Sequence, residues 1–296
     1  MKAINYYKYF LVACLLFGSQ SCKDLLDENP ISQVSGEYLN TKVGFEAAAK
    51  ATYSSLREYY GREAAMTLSI FGTDTYREGA DGSFKFVNSY KPELNGRLTA
   101  TRDIWNAFYT AINTANAVID RADKIPNLDE ATKKRRIAEV KFLRAHHYFI
   151  LVQMFGPIPL NLKENTTATK EASRIPVKDI YAAIITDLEA ALPDLASPTL
   201  EYGRVTAGAC EHLLARVYLT KATSEATADD DYAKAATHAK NVINKYSYKL
   251  LPDYSKVFEQ GAGEINDEVI LATQYTSDPI TNIGTSMSNA ALIGNQ

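Results

Sequence analysis

One stretch limits the possible folds of this chain more than any other. Between Phe142 and Phe155 only Arg144, His146, His147 and Gln153 are polar, and the run continues a helical period that begins near Asp129. On a turn of 3.6 residues, Ile137, Val140, Leu151 and Met154 share one face. Ala138, Phe142, Ala145, Phe149 and Val152 share another. A helix apolar on two faces has to be buried between neighbours, so the chain needs further helices on both sides of it. Asp129 or Leu128 opens the segment, and Gly156-Pro157 closes it.

The neighbours are legible. Helical periodicity recurs while strand alternation is scarce, which predicts helices over about 41–60, 99–124, 176–192, 205–223 and 229–246. Pro126 bars continuation of the second, and Pro176 suits the first turn of the third. The Ala/Tyr/Leu-rich segments 205–223 and 229–246 are joined by a short turn, in the manner of tetratricopeptide hairpins. The expected class is therefore all-α: tetratricopeptide-like hairpins in a superhelix, with long ligand-binding loops and little strand. The longest such loop is 61–96, punctuated by Gly and Pro. Within it, Met66–Phe71 reads as a helix end or a short strand, and Phe84 and Phe86 could alternate in another.

The first segment is an address. Lys2 and Lys8 precede the apolar run Tyr9–Gly18, too short for a bilayer span of about 20 residues. Ser19-Gln20-Ser21-Cys22 follows, so residues 1–21 are expected to be a lipoprotein signal peptide, with Cys22 acylated. Residues 22–40 would then be a polar tether, and 41–296 the helical domain. Several acyl chains on Cys22 would anchor the protein stably to a membrane. Loss of Lys2 and Lys8 takes the net charge from −3 to −5, too acidic for nucleic acid as a partner. Cys210, inside the apolar run 205–219, is expected to be a buried, inert thiol.

The helix Ile137–Phe149, reading I-A-E-V-K-F-L-R-A-H-H-Y-F, leads to Phe155-Gly156-Pro157-Ile158-Pro159-Leu160. Together they closely resemble a hallmark of the SusD/RagB family of nutrient-binding outer-membrane lipoproteins. Phe45–Leu56, Trp105–Ile119, Ile180–Pro193, Gly203–Leu219 and Glu268–Ile270 agree in the same order. The resemblance implies a binding protein and no enzyme, at the outer face of the outer membrane, held there by its lipid. It also implies a glycan as ligand, a SusC-like TonB-dependent transporter as partner, and no cofactor. RagB-like relatives suggest peptide cargo as the alternative. Such proteins usually continue further, so the C-terminal part of the family domain is expected to be missing after Gln296.

The residues themselves give little for catalysis. His146 and His147 point about 100° apart on a helix, and Cys210 and His212 about 200°, so neither pair can share a metal. None of the common catalytic or phosphate-binding motifs occurs. Residues 74–85 fail as a calcium loop because Tyr76 and Lys85 replace oxygen ligands. Glu139 and Arg144 are expected to be buried structural charges, with Arg135 one turn before Glu139 as its partner. Trp105 is expected in the core. Sugars need flat aromatic platforms flanked by planar hydrogen-bonding groups, and loop aromatics are better placed for this than helical ones. Candidate ligand residues are therefore Asp74, Tyr76, Arg77, Phe84, Asn88 and Tyr90 in the 61–96 loop.

Overall fold

The computed structural model describes residues 36–75, 84–167, 172–197, 201–259 and 261–275. The helices fall in one compact unit that begins at Leu39. In chain order they are α1 Lys42–Ser54, α2 Leu56–Tyr60, α3 Glu63–Ile70, α4 Lys85–Asn88 and α5 Thr99–Arg121. They continue with α6 Glu130–Phe155, α7 Val177–Ala191, α8 Ala207–Lys221 and α9 Asp231–Lys245. Among the described residues the only extended pairing is a single antiparallel bridge between Ile158 and Ile175. Residues 1–35, which hold the expected leader, Cys22 and most of the tether, lie outside the described residues.

Local chemistry sets the ends of the long helices. Thr41, Asp129 and Thr206 each accept a backbone N–H from the first turn of α1, α6 and α8, satisfying a donor that has no partner within the helix. Gly156 stops α6 at φ +66°, a conformation that suits glycine.

The run 138–152 of α6 is buried apart from the half-buried Lys141, as its two apolar faces require. It lies against α5 on one side and α7 on the other. The ring and ion-pair partners (Phe108 with His147, Asn116 with Arg144, Phe149 with Tyr181, Arg144 with Asp187) run in opposite senses along each pair, so both are antiparallel. A second hairpin is formed by α8 and α9, tied by Lys221–Asp231 at the turn and by Glu211 with His238 and Asn241 further along. The main core gathers Ile104, Phe108, Leu143, Phe149, Ile184, Leu188 and Leu214, while Phe45, Ala49, Val118 and Val140 form a second cluster beside α1. Each large apolar side chain so enclosed contributes roughly 1.5–3 kcal/mol of transfer free energy.

Three expectations need correction. The helix predicted over 41–60 breaks at Ser55, whose hydroxyl donates to the Thr52 carbonyl (2.8 Å) and meets His147 Nε2 (2.6 Å). Side-chain bonds of this kind compete with the helical ladder. The 61–96 stretch is less of a loop than expected, for Met66–Phe71 falls mostly in α3, and Phe86 lies in α4 instead of a strand. Glu139 does not pair with Arg135. Its carboxylate meets Arg136 Nη1 (2.6 Å), Arg204 Nη1 (2.7 Å) and the Tyr53 hydroxyl (3.0 Å), because the buried side of α6 at this point faces α1 and the segment before α8.

Beyond α6 the chain is strapped along α5 by side chains that hold its backbone. The Tyr109 hydroxyl donates to Pro159 O, and the Asn116 amide to Asn161 O and Lys163 O. Asn113 pairs with both the N–H and the carbonyl of Asn165. Arg121 grips Glu164 with two 2.7 Å bonds.

Candidate functional site

The loop residues singled out from the sequence do not converge on one point. Tyr76 and Arg77 lie outside the described residues. Asp74 is exposed. Phe84, at φ +66°, opens α4 and packs edge-on against Phe86 with centroids 6.0 Å apart. It walls a cavity of about 360 Å³ shared with Arg62, Glu63 and Asp103. Asn88 and Tyr90 do come together, both on Gly72. The Gly72 N–H donates to Asn88 Oδ1 (3.2 Å), and the Tyr90 hydroxyl donates to the Gly72 carbonyl (3.0 Å). Gly72 is at φ +81°, and a Cβ there would lie 2.7 Å from the Tyr90 hydroxyl oxygen and 2.8 Å from its ring. Glycine is required for the ring to lie that close.

The Tyr90 ring is thus held at both ends, by its own backbone and by its hydroxyl, while the residue remains 70% exposed. An exposed apolar ring fixed in this way suits stacking against the C–H face of another ring, since little conformational freedom is left to lose on binding.

A larger cleft of about 700 Å³ opens where four elements meet: the α2–α3 region, residues 94–96, the start of α5 and the end of α6. Tyr59, Ser69, Asn95, Thr101 and Gln153 supply polar groups, while Leu68, Ile150, Met154 and Phe155 supply apolar wall. Arg174 and Arg216 complete it. Neither arginine was singled out from the sequence, although Arg216 stands as a charge inside the apolar run 205–219. That interruption was the available signal. Trp105 is not among the lining residues; it stands behind Phe155 (5.1 Å) and against Tyr109 (4.7 Å), partly buried, and packs on the core as expected.

Beneath the cleft sits a buried polar cluster. Tyr60 and His146 Nε2 are 2.8 Å apart, and His147 bridges Ser55 and the Leu143 carbonyl. Burial drives both imidazoles towards the neutral form, with pKa values of about 3 for His146 and about 4 for His147. His147 and Arg216 lower the His146 value further. Neutral rings wedged against Phe108 and Tyr60 are core elements, with no open position for a substrate. Cys210 is buried and donates to the Leu188 carbonyl, and burial raises its pKa well above that of a free thiol. Among the described residues no group of three His, Cys, Asp or Glu side chains could hold a metal ion. No described helix is long and apolar enough to cross a membrane.

Comparison with known proteins agrees with this helical architecture. A family model described as "Starch-binding associating with outer membrane" matches residues 24–219. SusD-like protein P2 of Formosa agariphila is 32% identical over 259 residues, covering 83% of this chain and 48% of the relative. The starch-binding protein SusD of Bacteroides thetaiotaomicron is 32% identical over 172 residues, 56% of this chain and 29% of that protein. A laminarin-binding SusD-like protein of known structure matches with a TM-score of 0.66 at 26% identity, covering 78% of this chain and 50% of its own. The chain spans about half the length of the first of these relatives. With two-thirds of its residues inside the family model and the hallmark helix at its centre, the chain belongs to the SusD-like family.

Proposed function

We propose that this chain captures oligosaccharides at the outer-membrane surface, held there by acylation of Cys22, and passes them to a SusC-like TonB-dependent transporter without cleaving them. The family supports the glycan as cargo, since its model is described as starch-binding and a relative of known structure binds laminarin. The observation that carries the reading within this chain is Tyr90, an exposed ring pinned over Gly72 with Asn88 beside it. The lipobox-like Ser21-Cys22 and the acidic residues behind it support the anchor.

Peptide cargo is the weaker reading. The Asn-rich face of α5 that would suit an extended backbone is already occupied by residues 159–165 of the chain itself.

The test is a glycan array probed with the chain and with Tyr90→Ala, followed by calorimetry on the sugars that bind. Stacking on one aromatic contributes on the order of 1 kcal/mol or more, so the variant should bind at least about fivefold more weakly. Unchanged affinity in Tyr90→Ala removes the ring from the site. Binding to peptides alone removes the sugar.

A further inference from the structure

The cleft between α3, α5 and α6 contains two cations and no anion. Arg174, just before α7, and Arg216, on α8, both line it, and none of its lining residues is Asp or Glu. Some other arginines in the molecule are compensated locally. Arg62, Arg121, Arg136, Arg144 and Arg204 each have a carboxylate within 3.2 Å. Arg174 and Arg216 have none among the described residues, though they come from segments about 40 positions apart and meet in the same wall. Two guanidinium groups lining one cleft that contains no acidic side chain give it a positive potential, which favours an anionic occupant.

The rest of the wall has the character of a sugar site. Tyr59 offers a ring, and Asn95 and Gln153 offer planar amides. Thr101 and Ser69 add hydroxyl-bearing side chains to the lining. At about 700 Å³ the cleft falls within the roughly 300–1,000 Å³ typical of small-ligand sites. The charge of Arg216 is also felt below the surface, where it helps to keep His146 neutral.

We infer that this cleft takes an acidic sugar unit of the cargo, its carboxylate held by Arg174 and Arg216 and its hydroxyls by Asn95 and Gln153. This rests on the glycan reading above and narrows its substrate class from glycans in general to carboxylate-bearing ones. The planar fork of arginine matches a carboxylate with two parallel bonds, which a neutral hydroxymethyl group cannot replace. The overall negative charge of the chain does not oppose this, because screening beyond about 10 Å leaves the local pair of cations dominant.

The experiment is calorimetry on the full chain in detergent, with four wild-type titrants. These are oligogalacturonate, oligoglucuronate and a sialylated oligosaccharide, plus a carboxyl-reduced oligogalacturonate as the neutral control. Arg174→Ala/Arg216→Ala and Tyr90→Ala are titrated beside the wild type. Both arginines are exposed, and Arg216 also lies over the Phe149 ring at 5.9 Å, so the double variant should melt slightly lower than the wild type while staying folded at the titration temperature, which a melting curve checks. The inference expects at least one carboxylated oligomer to bind tenfold or more tightly than the neutral control. It expects the double arginine variant to abolish that preference, and wild-type affinity to fall as salt rises. Equal affinity for acidic and reduced sugars, or an acid preference that survives in the arginine variant, overturns it while leaving glycan binding intact. Preference for a sulfated oligosaccharide, titrated as a fifth ligand, over every carboxylated one also overturns it. Loss of binding to all sugars, acidic and neutral, marks instead the failure of the glycan reading itself.

Discussion

Replacing Arg144 with Met tests whether the charges in the hallmark helix are structural. Its guanidinium gives Asp187 two bonds of 2.7 Å, Nη1 adds Asn116 Oδ1 at 2.6 Å, and the Leu162 carbonyl lies at 3.2 Å. The Arg144 and Asp187 side chains are only 6% and 9% exposed, so water cannot replace the lost partner. Methionine keeps most of the packing volume but leaves the Asp187 carboxylate and the Asn116 oxygen without their donor. Breaking a buried pair in this way costs about 3–5 kcal/mol, most of it the desolvation of the orphaned carboxylate. For a domain of this size each kcal/mol lowers Tm by roughly 2–4 °C, so melting should fall by roughly 6–20 °C. The double variant Arg144→Met/Asp187→Leu removes the orphan and should recover most of the loss. Circular dichroism melts with urea titrations would read both. A loss under 1 kcal/mol in Arg144→Met, or a double variant no better than the single, would refute the structural reading and reopen Arg144 as a ligand contact.

Other consequences follow from the buried groups. The folded pKa values of His146 and His147 lie near 3 and 4, below the usual 6.5, so their contribution is complete above pH 6.5. Below 6.5 the unfolded chain takes up protons that the folded chain refuses, and stability is lost until the pH reaches the folded values. At pH 5 this amounts to about 2 kcal/mol per ring; urea midpoints at pH 7 and 5 should separate accordingly, and by less in His147→Gln. Cys210 should resist a thiol reagent at pH 8 in the native chain and react fully in 6 M guanidinium, because burial raises its pKa. Rapid native labelling at Cys210, located by peptide mapping, would contradict its burial. Glu139→Gln should cost about 1–3 kcal/mol, less than Arg144→Met, since Arg136 keeps Glu46 and Arg204 keeps Glu201. Chemical denaturation would give the order.

The parts of this fold that were legible in the sequence are those set by periodicity and by chain-local chemistry. The two apolar faces of α6, the Asp129 cap and the Gly156-Pro157 stop predict that helix to within a residue. Those of 176–192, 205–223 and 229–246 fall within about two residues of α7, α8 and α9. Short elements escaped. With five, eight and four residues, α2, α3 and α4 are too short to display a period, and Gly61 reads as an end when it only separates two helices. Partner choice escaped as well. Arg135 satisfies the one-turn rule for Glu139, yet the carboxylate is met by Arg136 and by Arg204, 65 residues away.

The site was legible in part for the same reason. Tyr90 and Asn88 were found by composition on a loop, but their common anchor at Gly72, 16–18 residues earlier, depends on a backbone conformation that composition does not reveal. Arg174 and Arg216 belong to different segments, one before α7 and one on α8, and only the tertiary fold brings them to one wall.

The most direct test of a scaffold that holds a glycan and leaves it intact is equilibrium dialysis of the chain against a labelled oligosaccharide, with the sugar recovered and sized afterwards. The account predicts that the label accumulates on the protein side and returns at its original length. Equal label on both sides of the membrane, or a shortened sugar, would contradict it.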